Sequence, residues 1–284
     1  MDLTTQITDA INAWLQNLAT QLLGPALAAA GQLLFTTPEY DRIPEIAQTW
    51  SLVRNIADAL LVLALVAAGI LVMASGTFDA RYTAKLLVPR VVLAAVVANA
   101  SLAICGALIG LDNALVIGLL GPNPASSTIG QLAAMVESGH AVNQVVGMLV
   151  ALAAAVLAVL LVALYIGRDL LLLLATVLAP LALATYALPQ TDELARLWWR
   201  AYGALLFVQV VQAVLIEVGV ELLRHTDWLG GPIADLTAAL LLVTLLYLLF
   251  RLPFTAYQWA FRQQLPRNPL VQTVIVAGRS AGVA

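Results

Sequence analysis

The sequence is poor in charged residues, in cysteine and in histidine, and each shortage excludes a class of function. Charged side chains make up 10% of the 284 residues, whereas a typical soluble domain has about a quarter. The one cysteine, Cys105, forms no intrachain disulfide, and the two histidines, His140 and His225, stand far apart. No phosphate-binding glycine loop, H-E-x-x-H zinc motif or G-x-S-x-G nucleophile motif occurs. We therefore predict no enzyme activity, no metal and no cofactor.

Long apolar stretches are what the sequence has in abundance. Hydrophobic residues make up 62% of the chain, the mean hydropathy is +0.95, and several stretches of about 17 to 22 residues carry no charge. A helix of that length crosses a hydrocarbon core of about 30 Å. The alternating pattern of a transmembrane β-barrel is absent. The sequence thus predicts an all-α, polytopic helical membrane protein.

The chain divides into three regions. Residues 1–49 form an outer N-terminal region, because the amphipathic helix predicted over residues 4–23 is too polar to span the membrane and fits the interface plane. Residues 50–252 form the transmembrane domain, and residues 253–284 form a cytoplasmic tail. We predict five spans, with the approximate limits 51–75, 91–111, 145–167, 201–223 and 236–250.

The pair Arg168-Asp169 decides between five spans and six. If the pair forms a turn between two spans, five of the Lys and Arg residues near the spans lie inside and seven outside. If residues 145–167 make one crossing and the pair reaches the cytoplasmic interface, nine lie inside and three outside. Basic residues favour the cytoplasmic side. We therefore predict five spans, an outer N-terminus, an outer loop over residues 121–144 and a cytoplasmic C-terminus, with six spans as the alternative.

The five-span arrangement makes two further predictions around this pair. Residues 170–188 stay on the cytoplasmic side as a re-entrant or tilted helix, broken at Pro180. That helix is buried against other helices or a neighbouring subunit, because partial crossings need protein or water around them. Arg168 is hydrated, or extends its side chain to water or lipid phosphate. Its removal should then have little effect on membrane insertion.

Small and polar residues of the second span form one candidate packing face. Asn99, Gly106, Gly110 and Asn113 fall on the same side of a helix that turns 100° per residue. The two glycines form a GxxxG pair, which permits close contact between helices. Two interpretations stay open: the face packs against another helix, or it lines a central passage.

Two amides and an aromatic-basic group are the remaining candidates for packing or for a channel. Gln209 and Gln212 lie near the middle of their span, where amide side chains need hydrogen-bond partners on other helices. Trp198, Trp199 and Arg200 mark a boundary between membrane and water, because tryptophan concentrates at interfaces and arginine favours the inner one.

The region around Arg168 also resembles a known family. The segment GRDLLLLLATVLAPLALATYALPQTDELARLWWRAYGALLFVQVVQAVLI is similar to the core of the polytopic inner-membrane subunit of type IV secretion systems, the TrbL/VirB-type conjugation proteins. The resemblance rests on Arg168 opening a leucine-rich helix, on the break at Pro180, and on Trp198 or Trp199 opening the next span. The segment AKLLVPRVVLAAVVANASLAI resembles the second span, so the likeness covers roughly residues 50–250.

The resemblance implies a ring-forming channel subunit in the bacterial inner membrane that helps to move DNA or protein. It implies partners too: other secretion-system subunits, cytoplasmic ATPases, membrane lipid and the translocated DNA or protein. The outer loop, residues 121–144, has no Lys or Arg, so it does not bind DNA by neutralising phosphates. A secondary transporter and a membrane anchor that organises partners are the alternatives. A large homo-oligomer would favour the channel subunit, and a monomer or dimer the transporter.

Overall fold

Helix dominates the part of the chain that the structure describes. The computed structural model describes residues 10, 14, 17, 21, 25, 26, 28–75, 78–124, 144–187, 191–225 and 231–262. It is 94% helix and has no strand within those residues. This confirms the all-α prediction, since apolar runs of this length satisfy their backbone hydrogen bonds internally only as helices.

Six long helices follow one another along the described chain. They are α1 (Pro44–Ser75), α2 (Phe78–Asn99), α3 (Ser101–Leu120), α4 (Gln144–Ala184), α5 (Asp192–Arg224) and α6 (Gly231–Arg262). Residues 28–35 are also helical, and residues 36–43, which we name the connector, join them to α1. A short 3-10 helix, Tyr40–Arg42, lies within the connector.

Within the described residues, five helical segments are long and apolar enough to cross a membrane. They are Pro44–Val66, Ser101–Leu120, Leu149–Ala187, Asp192–Leu223 and Thr237–Gln258. Their number confirms the prediction of five apolar helices. Their positions along the chain differ from the predicted limits, most of all in the second and third spans.

The second span is displaced along the sequence. We predicted one helix over residues 91–111, but the helix is interrupted at Ala100, a turn residue where α2 ends and α3 begins. The membrane-length helix is therefore Ser101–Leu120. Contacts with α1 hold this junction, because the Trp50 indole donates a 3.0 Å hydrogen bond to the Ser101 hydroxyl. The predicted limits are wrong because this contact is invisible in the local pattern.

The third apolar helix runs unbroken through both features that were expected to interrupt it. Helix α4 has 41 residues, or about 60 Å at 1.5 Å per residue, and it contains both Arg168 and Pro180. The predicted break at Pro180 is wrong, since the helix ends four residues later at Ala184. Ala179 and Leu183 are both fully buried, and this packing holds the turn around the proline. How residues 170–188 lie relative to the membrane stays a prediction.

Three apolar clusters form the interior. The first joins residues 151–165 of α4 to the C-terminal half of α5 and to α6. The second joins residues 172–183 of α4 to the N-terminal halves of α3 and α5. The third joins α1 and α2 to the end of α4. Arg168 lies on α4 between the first two clusters, so the interior changes from one apolar cluster to the next at a charged residue.

Candidate functional site

Arg168 is buried inside the helix bundle. Its side chain is 1% exposed, although an arginine guanidinium stays protonated in proteins. Removing such a charge from water costs several kcal/mol unless nearby groups compensate for it. The prediction that Arg168 is hydrated or reaches lipid phosphate is therefore wrong, because packing of α4 against its neighbours encloses the side chain before it can reach an interface.

Hydrogen bonds to two other parts of the chain satisfy the guanidinium. Nε donates to the carbonyl oxygen of Leu205 on α5 at 2.9 Å. Nη2 donates to Oε1 of Gln209, one turn further along α5, at 2.7 Å. Nη1 donates to Oγ1 of Thr37 in the connector at 3.1 Å. The planar fork of arginine suits this arrangement, because its donors point in fixed and different directions.

Two carboxylates balance the buried positive charge. Oδ1 of Asp169 lies 3.3 Å from Nη1 of Arg168, and Oδ2 of Asp112, on α3, lies 3.6 Å from Nη2. The Asp112 side chain is 4% exposed, and its Oδ2 has no hydrogen-bond partner among the described residues. Asp112 thus stabilises Arg168 through charge attraction across the α3–α4 contact rather than through a hydrogen bond.

The connector is fixed to the same place by reciprocal hydrogen bonds. Asn113 accepts from the Thr37 amide through Oδ1 at 2.9 Å and donates to the Thr37 carbonyl through Nδ2 at 2.8 Å. The Thr37 hydroxyl donates to Oε1 of Gln209 at 2.6 Å. Thr37 is 1% exposed, so Asn113 replaces the water that its backbone has lost.

We name this set of contacting residues the Arg168 centre. It consists of Thr37, Asp112, Asn113, Arg168, Asp169 and Gln209. It joins three helices and the connector through charged and amide groups, which have fixed directions, and not through apolar contacts alone. A network of this kind favours one packing arrangement, and within the described residues the polar atoms of the centre left without a hydrogen-bond partner are Oδ2 of Asp112 and Nε2 of Gln209.

Tyr40 supports the connector from the other side of the centre. Its hydroxyl donates to the backbone carbonyl of Asp169 at 2.9 Å, and the residue is 4% exposed. Burial raises the pKa of the Tyr40 phenol, and the nearby Asp169 carboxylate raises it further. The phenol therefore stays a neutral donor at physiological pH, as this hydrogen bond requires.

The centre brings together residues that the charge count separates. Residues 36–43 belong to the predicted outer region, whereas Arg168 is predicted at the cytoplasmic interface. Their hydrogen bond places both at one depth of the bundle. The positive-inside count assigns every Lys and Arg near the end of a span to one side of the membrane. It therefore misplaces a basic residue whose charge is neutralised inside the protein.

Sequence reasoning identified Arg168, Asp169 and Gln209 and placed Asn113 on a polar helix face, but it missed Thr37 and Asp112 as members of the centre. One signal was present for Asp112, since an acid within an apolar helix calls for a positive partner. The connector residue Thr37 carries no comparable signal, because it belongs to a polar segment that would be solvated equally well in a loop.

The two amides predicted near the middle of α5 both have partners on other helices. Gln209 and Gln212 are fully buried. Gln209 accepts hydrogen bonds from Arg168 and Thr37, while Nε2 of Gln212 donates to the Leu249 carbonyl on α6 at 2.9 Å. The two amides therefore hold different neighbours, one inside the Arg168 centre and one beside it.

The aromatic-basic group divides between the interior and the surface. Trp198 is 8% exposed, stacks on Tyr202 at 4.9 Å and donates to the Ala175 carbonyl at 2.9 Å. It packs α5 against α4, and its role as an anchor at the membrane boundary stays a prediction. Trp199 contacts the Trp198 ring at 5.0 Å, and together with the exposed Arg200 it lines a groove between α5 and α6.

The predicted common face of Asn99, Gly106, Gly110 and Asn113 is wrong for Asn99, because the interruption at Ala100 puts Asn99 on α2 and the other three on α3. Asn99 is exposed and donates to Oδ1 of Asp58 at 2.9 Å. A Cβ at Gly106 would lie 2.5 Å from the Asp41 carboxyl carbon, and one at Gly110 would meet nothing within 4 Å. Among the described residues, the atoms nearest to a Cβ at Gly106 thus belong to a side chain and not to a helix backbone.

The chemistry available at the centre is charge pairing and hydrogen bonding. Among the described residues, no group of three or more His, Cys, Asp or Glu side chains could hold a metal ion. The Arg168 guanidinium donates its hydrogen bonds to groups of its own chain. The one cysteine, Cys105, is a free thiol buried in the second cluster. The arrangement therefore suits a structural tie between helices.

Comparison with models of protein families gives a match over almost the whole chain. The model of a family described as "TrbL/VirB6 plasmid conjugal transfer like protein" matches residues 1–283. No curated protein and no solved structure matches the chain. The matched residues include all six helices and every member of the Arg168 centre.

Proposed function

This chain belongs to the TrbL/VirB6 plasmid conjugal transfer family, and on that premise we propose that it is a channel or scaffold subunit of a type IV secretion machine in the bacterial inner membrane. The observation that carries the proposal is the extent of the match, residues 1–283. Five apolar helices of membrane-spanning length agree with a multi-pass membrane protein of such a machine.

The Arg168 centre supports a role that demands a fixed subunit shape. Apolar side chains in a bundle tolerate some sliding, but charged and amide groups lose their partners when helices move. The centre links α3, α4, α5 and the connector through Arg168, Gln209 and Asn113. We propose that it keeps each subunit in the one shape that lets identical copies form a ring.

The outward surface of α1 and α2 supports contact with lipid and neighbouring subunits. Leu52 and Leu63 on α1 and Val92 and Leu93 on α2 are 57–64% exposed. Apolar side chains exposed to this extent are favourable in a lipid environment and unfavourable in water. We propose that this surface faces lipid and other subunits of the machine, with the cytoplasmic ATPases as further partners.

A secondary transporter is the second candidate, because a charged centre beside an interruption between two helical segments is a feature of transporter binding sites. Here the interruption is the connector, and the charged group is Arg168. Its guanidinium, however, donates to Leu205, Thr37 and Gln209 of the same chain. This internal satisfaction favours a structural role over a substrate site.

Transfer and assembly are the two measurements that test the proposal. We expect deletion of the gene to abolish plasmid transfer between cells and the full chain, supplied separately, to restore it. We also expect the detergent-purified chain to have the mass of a large homo-oligomer. Transfer at the undeleted level without the gene would contradict a role in conjugation. A chain that restores transfer yet purifies only as a monomer or dimer would contradict the ring.

Membrane orientation is tested by labelling single cysteines with an impermeant reagent added outside the cell. We place them at Ser126, Gln190 and Arg279, which lie outside the described residues, in a Cys105→Ala background. The proposed outer loop and cytoplasmic C-terminus predict that only the Ser126 position reacts. Labelling at Gln190 from outside would favour six spans, and permeabilised cells, where all three should react, provide the control.

A further inference from the structure

A surface groove between α5 and α6 has a charged end and an apolar length. It has a volume of about 690 Å³ and is lined by residues that include Trp199, Arg200, Gly203, Phe207, Val211 and Leu252. The space beside Gly203 is empty, since a Cβ there would meet nothing within 4 Å. Because glycine has no side chain, this space remains part of the groove. All of its α5 lining residues belong to the apolar helix Asp192–Leu223.

The length of the groove matches one leaflet of a bilayer. From Arg200 to Val211 a helix rises about 16 Å, and half of a hydrocarbon core is about 15 Å. Trp199 and Arg200 lie together at one end, and these residue types concentrate where the hydrocarbon meets the headgroups. An acyl chain lying along the groove would therefore put its headgroup beside Arg200.

Arg200 is available to bind an anion. Its side chain is exposed, and it has no hydrogen bond or ion pair among the described residues. Arg196, one turn away on α5, instead forms a 2.7 Å ion pair with Asp192. The difference matters, because an arginine already paired with a carboxylate has fewer free N–H donors and less unbalanced positive charge for binding a phosphate.

We propose that this groove is a binding site for an anionic phospholipid. The acyl chain lies against Gly203, Phe207 and Val211, and the guanidinium of Arg200 binds the lipid phosphate. Basic pockets between membrane helices bind anionic headgroups in this way. The second surface groove, between α4 and α5, is lined by apolar residues with one threonine and one tyrosine hydroxyl and contains no charged residue, so it offers an acyl chain no such headgroup partner.

The experiment is native mass spectrometry of the full-length chain with phosphatidylglycerol or phosphatidylcholine added in detergent. The unmodified chain should prefer phosphatidylglycerol. Arg200→Gln should reduce that preference by about fivefold, the change expected for one basic residue near an anionic lipid surface. It should weaken phosphatidylcholine binding less, because the choline cation of that lipid already offsets the charge of its phosphate. Gly203→Leu should fill the groove and weaken binding of both lipids.

Gly118→Leu is the matched control, because Gly118 is also an exposed helical glycine with nothing within 4 Å of its Cβ position. It lies on α3, away from the groove, and should change neither lipid's binding. Undiminished phosphatidylglycerol preference in Arg200→Gln, or unchanged binding in Gly203→Leu, would overturn the proposal. Displacement of the lipid by inorganic phosphate would overturn it too, since it would show that the site recognises free phosphate and not a lipid.

Discussion

Replacing Arg168 by alanine should lower the free energy of unfolding by about 3–5 kcal/mol, because it leaves a buried carboxylate without its counter-charge. The Asp112 side chain, which is 4% exposed in the unmodified chain, would then have no arginine beside it. The whole free energy of unfolding of a folded protein is about 5–15 kcal/mol. The variant should therefore lose much of its thermal stability in detergent. Membrane insertion should not suffer, since removing a charge from an apolar helix favours insertion. The measurements are membrane yield and the midpoint of thermal unfolding.

Two further variants separate burial of the charge from loss of arginine in general. Arg251→Ala removes an arginine that is exposed on α6 and should change stability by less than about 0.5 kcal/mol. The double change Arg168→Leu with Asp112→Leu removes the charge pair and should recover part of the loss seen in the Arg168→Leu single variant. An unfolding midpoint in Arg168→Ala equal to that of the unmodified chain would show that the buried pair does not hold the bundle together.

Asn113→Ala should release the connector from the bundle. The change removes the partners of two Thr37 backbone groups, each of which costs about 1–3 kcal/mol when buried and unpaired. Because the connector has only eight residues, 36–43, loss of these two hydrogen bonds should let the connector detach locally from the bundle. It should also lower the free energy of unfolding. Trypsin then has a site at Arg42, whose side chain is 77% exposed. We expect faster cleavage there, measured as appearance of the fragment beginning at Ile43.

Asn99→Ala is the control for this prediction. Asn99 also donates to a neighbouring helix, at Asp58, but its side chain is exposed and water can replace the lost contact. Cleavage after Arg42 should proceed at the unmodified rate in this variant. Equal cleavage rates in Asn113→Ala and the unmodified chain would show that the two hydrogen bonds to Thr37 do not retain the connector.

The sequence determined the class of protein and the number of apolar helices of spanning length. Both follow from local properties, since an uncharged run of about 20 residues is long enough to cross a bilayer whatever its neighbours are. It also determined that Gln209 and Gln212 need partners on other helices, although it placed Arg168 at a hydrated interface. A polar group in an apolar helix has few alternatives to pairing inside the protein.

Only the tertiary structure decided what those partners are and at what depth they meet. Thr37 pairs with Arg168 across 131 residues of sequence, and Gln209 pairs with it across 41. Hydrophobic periodicity reports which face of a helix is apolar, but not which helix lies against that face. The charge count therefore placed Arg168 near water. Three-dimensional packing gave it a carboxylate on α3, an amide on α5 and a hydroxyl in the connector, and so allowed its charge to lie in the interior.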